Sequence, residues 1–351
     1  CLASLPEELQ EMIATYLTQH DFALCARVCQ AWQRFFTPLV WRHVETNPNF
    51  MRKLSWDDTF LQSARSGALK THGQWIQSIC LGCYPDFIQK FLLYSPATFP
   101  RLTSLTFCNP ERDDVIEDFI SRASRGSGLK RLDIVGFSGF ADFGGGATDA
   151  LLLHASTLEV LRLDMVPAAS SKDIQQLLSS APKLREFDII GHERDTDNDE
   201  IFLDARDVVS SDWVCTGLEV FACRIGGIPR PDITRQIDGE PASKYVKSGT
   251  LQESIDLHRG VYAQLGRLTR LRELTLGVSI KATWGYNSRT NERFRLYDCP
   301  AMSLASGMDM LKELRQLESV RLRDMEVSIM DDEERAWSKE HWPKVEVEWD
   351  R

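Results

Sequence analysis

A six-position unit, apolar-x-x-apolar-x-apolar, recurs through most of the chain. Its clearest copies are Leu102-x2-Leu105-x-Phe107, Leu129-x2-Leu132-x-Ile134, Leu158-x2-Leu161-x-Leu163 and Leu184-x2-Phe187-x-Ile189. Leu218-x2-Phe221-x-Cys223, Leu271-x2-Leu274-x-Leu276 and Leu317-x2-Val320-x-Leu322 follow, and weaker copies flank them at Ile76-x2-Ile79-x-Leu81 and Trp342-x2-Val345-x-Val347. Between copies the apolar spacing turns helical: Val115, Ile116 and Phe119-Ile120 share a face, as do Leu151-Leu152-Leu153, Ile174 with Leu177-Leu178, and Val261 with Leu265. Each unit therefore predicts a short strand followed by a helix, and stacked units predict a parallel sheet on a concave side with helices on the convex side. An ordinary α/β sheet domain would also alternate strand and helix, but it would not fix the same six-position pattern nine times.

Ahead of these units, about 40 residues predict three short helices. Ser4 is expected to cap the first, with Pro6 in its first turn and Glu7 completing a capping-box pattern, and Leu5, Leu9, Ile13, Tyr16 and Leu17 fall on one face. Asp21 is expected to cap the second, in which Leu24, Val28, Trp32 and Phe35 form a stripe; Pro38 is expected to end it, and Leu39-Val40-Trp41 to begin a third element. So small a unit carries more apolar surface than it can bury. It either packs on the next domain as a helical cap or offers the surplus to a partner.

The chain has 351 residues, which fits roughly two domains, and its 43% hydrophobic and 26% charged residues suffice for a core without metals or disulfides. A net charge of −10 argues against nucleic acid or an anionic membrane as the partner, though it leaves room for a local basic patch. No run of about 18 apolar residues occurs, so no membrane span is expected. The nine cysteines are odd in number, and Cys25, Cys29, Cys108 and Cys223 lie in apolar runs, which suits buried thiols in the reducing cytoplasm and/or nucleus. The opening Cys-Leu-Ala-Ser lacks the basic flank and apolar stretch expected of a signal peptide.

Catalytic chemistry is not expected. The seven histidines, at 20, 43, 72, 154, 192, 258 and 341, are scattered, and no nucleophile triad, phosphate loop or His-Glu-x2-His helix appears. Cys80-x2-Cys83 is a lone thiol pair inside the first repeat strand and is expected to pack rather than to hold zinc. Asp195-x-Asp197-x-Asp199 starts like a calcium loop, but Glu200 replaces the turn glycine and Arg206 the bidentate acid. Asp331-Asp332-Glu333-Glu334 is expected to be an exposed charged turn, and no cofactor or metal is expected.

Over residues 4–44 the order Leu5-Pro6-x-Glu8-Leu9-x3-Ile13-x2-Tyr16-Leu17, Asp21, Val28-Cys29-x2-Trp32 and Leu39-x-Trp41 resembles an F-box, with a departure at Phe22-Ala23, where the family more often has Leu. Separations of 26, 27, 29 and 26 residues between unit starts from 76 to 184 are those of a leucine-rich repeat, in a degenerate form without the usual Asn or Cys ladder. The whole resembles fungal-type F-box proteins with irregular C-terminal leucine-rich repeats. The resemblance implies an F-box at 1–45, linking helices at 46–74, and a repeat solenoid at 75–351 with insertions at about 226–250 and 281–300. In that family the box docks a Skp-type adaptor that bridges to a cullin carrying the ubiquitin-loading enzyme. Carried over by position, Leu5, Pro6, Leu9, Ile13, Leu17, Leu24 and Val28 would face the adaptor, with Trp32 and Trp41 in internal packing or at the seam to the next domain.

Nine strands about 4.8 Å apart would span roughly 40 Å, which suits a protein ligand better than a metabolite. The positions expected to face concave solvent are Arg131, Asp133 and Val135; Val160, Arg162 and Asp164; Glu186, Asp188 and Ile190; and, at the far end, Ser319, Arg321 and Arg323. Strands in register would set Asp133 beside Arg162 and Asp164 beside or diagonal to Asp188. The expected face is acidic to mixed in the middle, where pairing could neutralise it, and basic at the far end, where an acidic or phosphorylated substrate would fit. The second insertion gathers Trp284, Tyr286, Arg289, Arg293, Phe294, Arg295 and Tyr297. The insertions read equally as binding loops or as flaps over the solenoid's own core; a nucleic-acid role for this one is opposed by the acidic chain. The reading that follows is a non-catalytic substrate-recognition subunit of an SCF-type ubiquitin ligase, the alternative being an interaction scaffold outside any ligase.

Overall fold

The computed structural model describes residues 5–45, 71–81, 99–108, 113–123, 128–135, 145–164, 169–190, 203–234, 236, 241–244, 246–277, 285–287, 292–294, 297–323 and 332–350. The expected linking helices before residue 71, Cys83 and the Asp195–Asp199 run lie outside them.

The N-terminal unit has three helices, α1 (Glu7–Ala14), α2 (Gln19–Cys25) and α3 (Gln30–Val40). Their boundaries differ from the sequence expectation for local reasons. Pro6 itself is the N-cap of α1, with no side-chain cap. Thr18 caps α2, and Asp21 is its capping-box partner: the Asp21 N–H donates to Thr18 Oγ1 at 3.2 Å and the Thr18 N–H to Asp21 Oδ2 at 2.9 Å. The stripe from Leu24 to Phe35 is not one helix, because Cys29 adopts an extended backbone (φ −161°) and starts α3. Pro38 does not end α3, which runs two residues past it; its missing N–H costs one intrahelical bond near a terminus, where the loss is tolerable. The ring of Phe36 is fully buried, packed by Phe22, Trp32 and Phe35.

The helices feed straight into the sheet. Strand β1 (His43–Glu45), which the six-position pattern does not flag, pairs in parallel with β2 (Ser78–Leu81). The Arg42 carbonyl accepts from the N–H groups of Gln77 and Ser78, Arg42 Nε donates to Gln77 Oε1 at 2.7 Å, and Gln19 Nε2 reaches the carbonyls of Val40 and His43. Trp41 stacks on His72, which stacks on Trp75, so Trp41 does sit at the seam.

The sheet continues through β3 (Ser104–Cys108), β4 (Arg131–Val135), β5 (Val160–Asp164) and β6 (Glu186–Asp188). A two-residue strand, β7 (Leu203–Asp204), then pairs beside β8 (Val220–Gly226), and β9 (Glu273–Gly277), β12 (Ser319–Arg323) and β13 (Glu346–Asp350) complete the path; an antiparallel hairpin of β10 (Gly285–Asn287) and β11 (Glu292–Phe294) stands outside it. Ten strands follow chain order, all parallel, and the register never slips: Glu45, Cys80, Thr106, Asp133, Arg162, Asp188, Ala222, Thr275, Arg321 and Glu348 form one continuous row.

One strand face carries the core. Ile79, Leu81, Leu105, Phe107, Leu132, Ile134, Leu161, Leu163, Phe187, Phe221, Leu274, Leu276, Val320 and Leu322 are all buried there against helices α4 (Asp113–Arg122), α5 (Gly145–Leu152), α6 (Ser171–Leu178), α7 (Ala205–Val208) and α8 (Leu251–Gly266). A last helix, α9 (Asp332–His341), begins inside the run expected to be an exposed turn. Asp332, Glu333 and Glu334 occupy its first turn, where the helix dipole favours acids.

Polar groups stitch neighbouring units where a ladder of Asn or Cys would otherwise do so. Buried His154 accepts from the Leu129 N–H at Nδ1 (3.2 Å), so its Nε2 carries the proton toward the Ile120 carbonyl (3.1 Å), and burial lowers its pKa in keeping with this neutral form. Farther on, Trp213 Nε1 donates to Gln175 Oε1 (2.8 Å), its backbone N–H donates to Gln264 Oε1 (3.2 Å), and both glutamines donate to the Ser211 carbonyl.

A second row runs along the rim where the strands begin. The residue before each strand offers its carbonyl to two consecutive N–H groups of the next unit, at Arg42, Gln77, Thr103, Lys130, Glu159, Arg185, Glu219 and Arg272. From Lys130 the side chains of this row alternate in sign, Lys130, Glu159, Arg185, Glu219, Arg272, Glu318. Ion pairs close at Lys130–Glu159 (3.0 Å), Arg185–Glu219 (3.9 Å) and Arg272–Glu318 (2.9 Å). Each exposed pair is worth little, but reversing one sign sets three like charges in line. Glu159→Lys is expected to cost about 1 kcal/mol in denaturant titrations at low salt. The loss should fade at 1 M salt and be relieved by Lys130→Glu; a loss that ignores salt would mean the row is incidental.

Candidate functional site

The strongest feature of the N-terminal unit is what it leaves uncovered. Leu9 and Met12 on one side of α1 and Tyr16 just after the helix are 41%, 54% and 85% exposed; Leu24 on α2 and Val28 just after it are 49% and 63% exposed. Ile13 and Leu17 are half-buried beside them, as is Leu5, while Pro6 is exposed. Among the described residues of the three helices, Phe36 is the one apolar side chain classed as buried. The opposite side of α1 borders an open cleft of about 680 Å³ toward α2 and α3, lined by Ala14, Leu17, Phe22, Phe35, Pro38 and Leu39 among others. Sequence reasoning missed Met12 as a surface residue, although its position three after Leu9 was the signal, and placed Tyr16 on the apolar face without assigning it to the site.

The second candidate is the sheet face opposite the core. The register sets Asp133 beside Arg162, as expected, and Arg162 beside Asp188, which leaves Asp164 diagonal to Asp188. The charges pair off: Arg131 Nε meets Asp133 Oδ2 at 2.6 Å along its own strand, and Arg162 meets Glu186 at 2.5 Å across to β6. Ile190, expected in solvent, is buried with Ile189, because β6 ends at Asp188 and the in–out alternation ends with it. At β8 the open-face residues Ala222 and Arg224 are buried, which interrupts the face. At the far end β13 sets Glu346, Glu348 and Asp350 in register with Ser319, Arg321 and Arg323. The expected basic end is therefore bordered by a row of acids.

The two insertions differ in what the described residues show of them. In the second, the hairpin sets Tyr286 opposite Arg293, while Trp284 lies outside the described residues. The first is a packed cover. Ile228, Arg230, Ile233 and Ala242 are buried, and a bridge joins Val246 to Tyr297. The guanidinium of Arg230, with no exposed surface, holds Asp232 (2.8 Å) and the Cys299 carbonyl (3.2 Å). His258 receives the Ala301 N–H at 2.9 Å, and Tyr262 donates to the Ala301 carbonyl. The His258 imidazole is held down to about 4, chiefly by burial. Gly227 (φ 85°) turns so that its N–H meets Asp298 Oδ2 at 2.7 Å, while Asp298 Oδ1 is buried with no partner.

Burial, reinforced by the Asp204 carboxylate, pushes Asp298 up to about 6. A carboxyl with a raised folded pKa favours the fold when protonated. Its contribution is intact below about pH 4 and declines as pH rises through 6. Asp298→Asn is therefore expected to stabilise the chain at pH 7.5 by up to ~3 kcal/mol, with the gain vanishing near pH 4, as read by thermal or urea unfolding at both pH values. Asn keeps an acceptor for Gly227 and removes the charge that burial penalises.

Among the described residues no three His, Cys, Asp or Glu side chains gather as a metal site, and no helix is long and apolar enough to cross a membrane. A comparison with curated proteins finds no match. Among solved structures, an LRR protein of Leptospira interrogans is 14% identical to this chain, with 78% of this chain and 72% of that one covered and a TM-score of 0.18. At that score the repeat architecture rests on the register described above and not on the likeness. Residues 2–47, the segment that bears the uncovered apolar face, match the family model described as F-box-like.

Proposed function

We propose that this chain is the substrate-recognition subunit of an SCF-type ubiquitin ligase. Its N-terminal box would bind a Skp-type adaptor, and through it a cullin, while the open sheet face and the β10–β11 hairpin hold a substrate protein. The observation that carries this reading is the exposure of the apolar side chains Leu9, Met12, Tyr16, Leu24 and Val28 on a segment that matches the F-box-like model. An apolar patch of that kind marks a protein-binding surface. Ubiquitin transfer would fall to other subunits, so this chain contributes proximity in the cytoplasm and/or nucleus. The test is co-purification of the full chain with a Skp-type adaptor and a cullin. Recovery of a ternary complex supports the reading. A chain that captures neither protein but still captures others through its repeats would be an interaction scaffold outside the ligase.

A further inference from the structure

Of the described cysteines, Cys215, Cys223 and Cys299 are buried, Cys29 is exposed, and Cys25, Cys80 and Cys108 are half-buried. The expectation of buried thiols therefore holds for Cys223 and fails for Cys25, Cys29 and Cys108. A titratable group with more structure around it is Asp298, 2% exposed, at the place where the two insertions meet.

Tyr297, Asp298 and Cys299 follow shortly after the β10–β11 hairpin and hold the first insertion by their backbone. The Tyr297 carbonyl takes the Lys247 N–H at 3.4 Å, the Asp298 carbonyl takes the Ile228 N–H at 2.9 Å, and the Cys299 carbonyl takes Arg230 Nη1 at 3.2 Å. The Asp298 side chain adds the bond from the Gly227 N–H to Oδ2 at 2.7 Å. The approach is close: a Cβ on Gly226 would stand 3.1 Å from Asp298 Oδ2 and 3.2 Å from Oδ1, and one on Gly227 would stand 2.6 Å from Asp204 Oδ2. The carboxyl is thus packed on bare backbone, with a second carboxylate against the same turn.

A buried carboxylate keeps its charge cheaply only when both oxygens are matched by donors or cations. Asp298 is matched on one side, since Oδ2 has the Gly227 N–H while Oδ1 is buried with no partner. Among the charged groups around it, Lys247 of the insertion favours ionisation and Asp204 on β7 opposes it. Arg224 is buried two positions before Gly226 on β8. Arg230 pairs with Asp232 beside Cys299, and His258 on α8 meets the Ala301 N–H as a neutral imidazole. Burial outweighs the rest and raises Asp298.

We propose that Asp298 is a pH-sensitive clasp between the two insertions: protonated, it holds the first insertion against the root of the β10–β11 hairpin, and ionised, it loosens that attachment. Opening returns the carboxyl to water and to its ordinary range near 4, whereas the closed form titrates at about 6. The closed form is therefore fully favoured below about pH 4 and loses ground as pH rises through 6. An effect on substrate capture by the hairpin rests on the proposed function; the attachment itself does not.

The test is amide exchange of the full chain at pH 5 and pH 7.5, corrected for intrinsic rates and read at Gly227, Ile228 and Lys247, whose N–H groups make the attachment. Opening is expected to rise about tenfold between the two pH values. Strands β4 and β5, remote in sequence from the clasp, should show no such rise. Asp298→Asn keeps an acceptor for Gly227 without the charge, so its three amides should exchange equally slowly at both pH values. No rise in the parent chain, a rise shared by β4 and β5, or a rise that persists in Asp298→Asn would overturn the proposal. None of these outcomes bears on adaptor binding.

Discussion

Leu9→Asp together with Ile13→Asp is expected to abolish capture of a Skp-type adaptor and leave the chain folded. Leu9 is 41% exposed and Ile13 half-buried, so neither anchors the core. In a docked complex both would lose water, and an unpaired carboxylate cannot lose water cheaply. Two central apolar contacts at about 2 kcal/mol each correspond to roughly a thousandfold loss of affinity. Calorimetric titration of purified adaptor should show that loss, with a thermal midpoint close to that of the parent chain. Tyr16→Ala and Val28→Asp probe the other exposed apolar positions of the N-terminal unit, and Leu153→Asp, an apolar residue 68% exposed on the repeats, is the control that should bind normally. Undiminished binding by the double variant would sink the ligase reading.

Trp213→Ala is expected to be among the most destabilising single changes. The indole has about 1% of its surface exposed, packs on Phe221 with ring centroids 5.3 Å apart, and donates from Nε1 to Gln175. Truncation leaves a large cavity and strands Gln175 Oε1, which together should cost about 3–5 kcal/mol in urea unfolding. Trp213→Phe refills most of the volume but not the hydrogen bond, so it should fall between the two. Gln175 on α6 and Gln264 on α8 reach the same loop, so the damage should spread to both helices and be visible as faster amide exchange in each. A loss under 1 kcal/mol would show that this stitch is dispensable.

The repeats were legible because their defining residues are large, apolar and periodic. All nine six-position units coincide with observed strands, down to the weak copies at Ile76 and Trp342. The helical stripes at Val115, Leu151, Ile174 and Val261 were legible for the same reason. What escaped notice lacks an apolar period. Strand β1 offers one apolar residue, Val44, between His43 and Glu45, and is specified by its partner across the sheet rather than by itself. The alternating rim was invisible to a search for hydrophobic spacing, although the residue after the first Leu of each unit spells it out from Lys130 to Glu318. Pro38 and the acidic run at 331–334 misled because propensity is local, and tertiary packing extended one helix while the helix dipole drew acids into the start of another. Arg131, Asp133 and Arg162 do fall on the sheet face opposite the core, but Asp133, expected in solvent, is buried there beneath its pairing with Arg131. From the sequence it could be foreseen that pairing could neutralise them but not with which partners, since Arg131 takes Asp133 along its own strand and Arg162 takes Glu186, which depends on rotamers and on which neighbour is closer.

The pairing of β1 with β2 makes the last residues of the box the first rung of the sheet. A flexible tether would let a captured protein sweep through a volume; this continuity makes the molecule a ruler. If the proposed function holds, every strand adds about 4.8 Å between the apolar face at the N-terminus and the place where a target would lie. Inserting or deleting one unit would therefore shift a target by a fixed step, without changing any residue that touches it. In a proximity device, such a shift changes which target lysines come within reach while affinity stays constant. Repeat number would then be a selectivity setting separate from the contact residues.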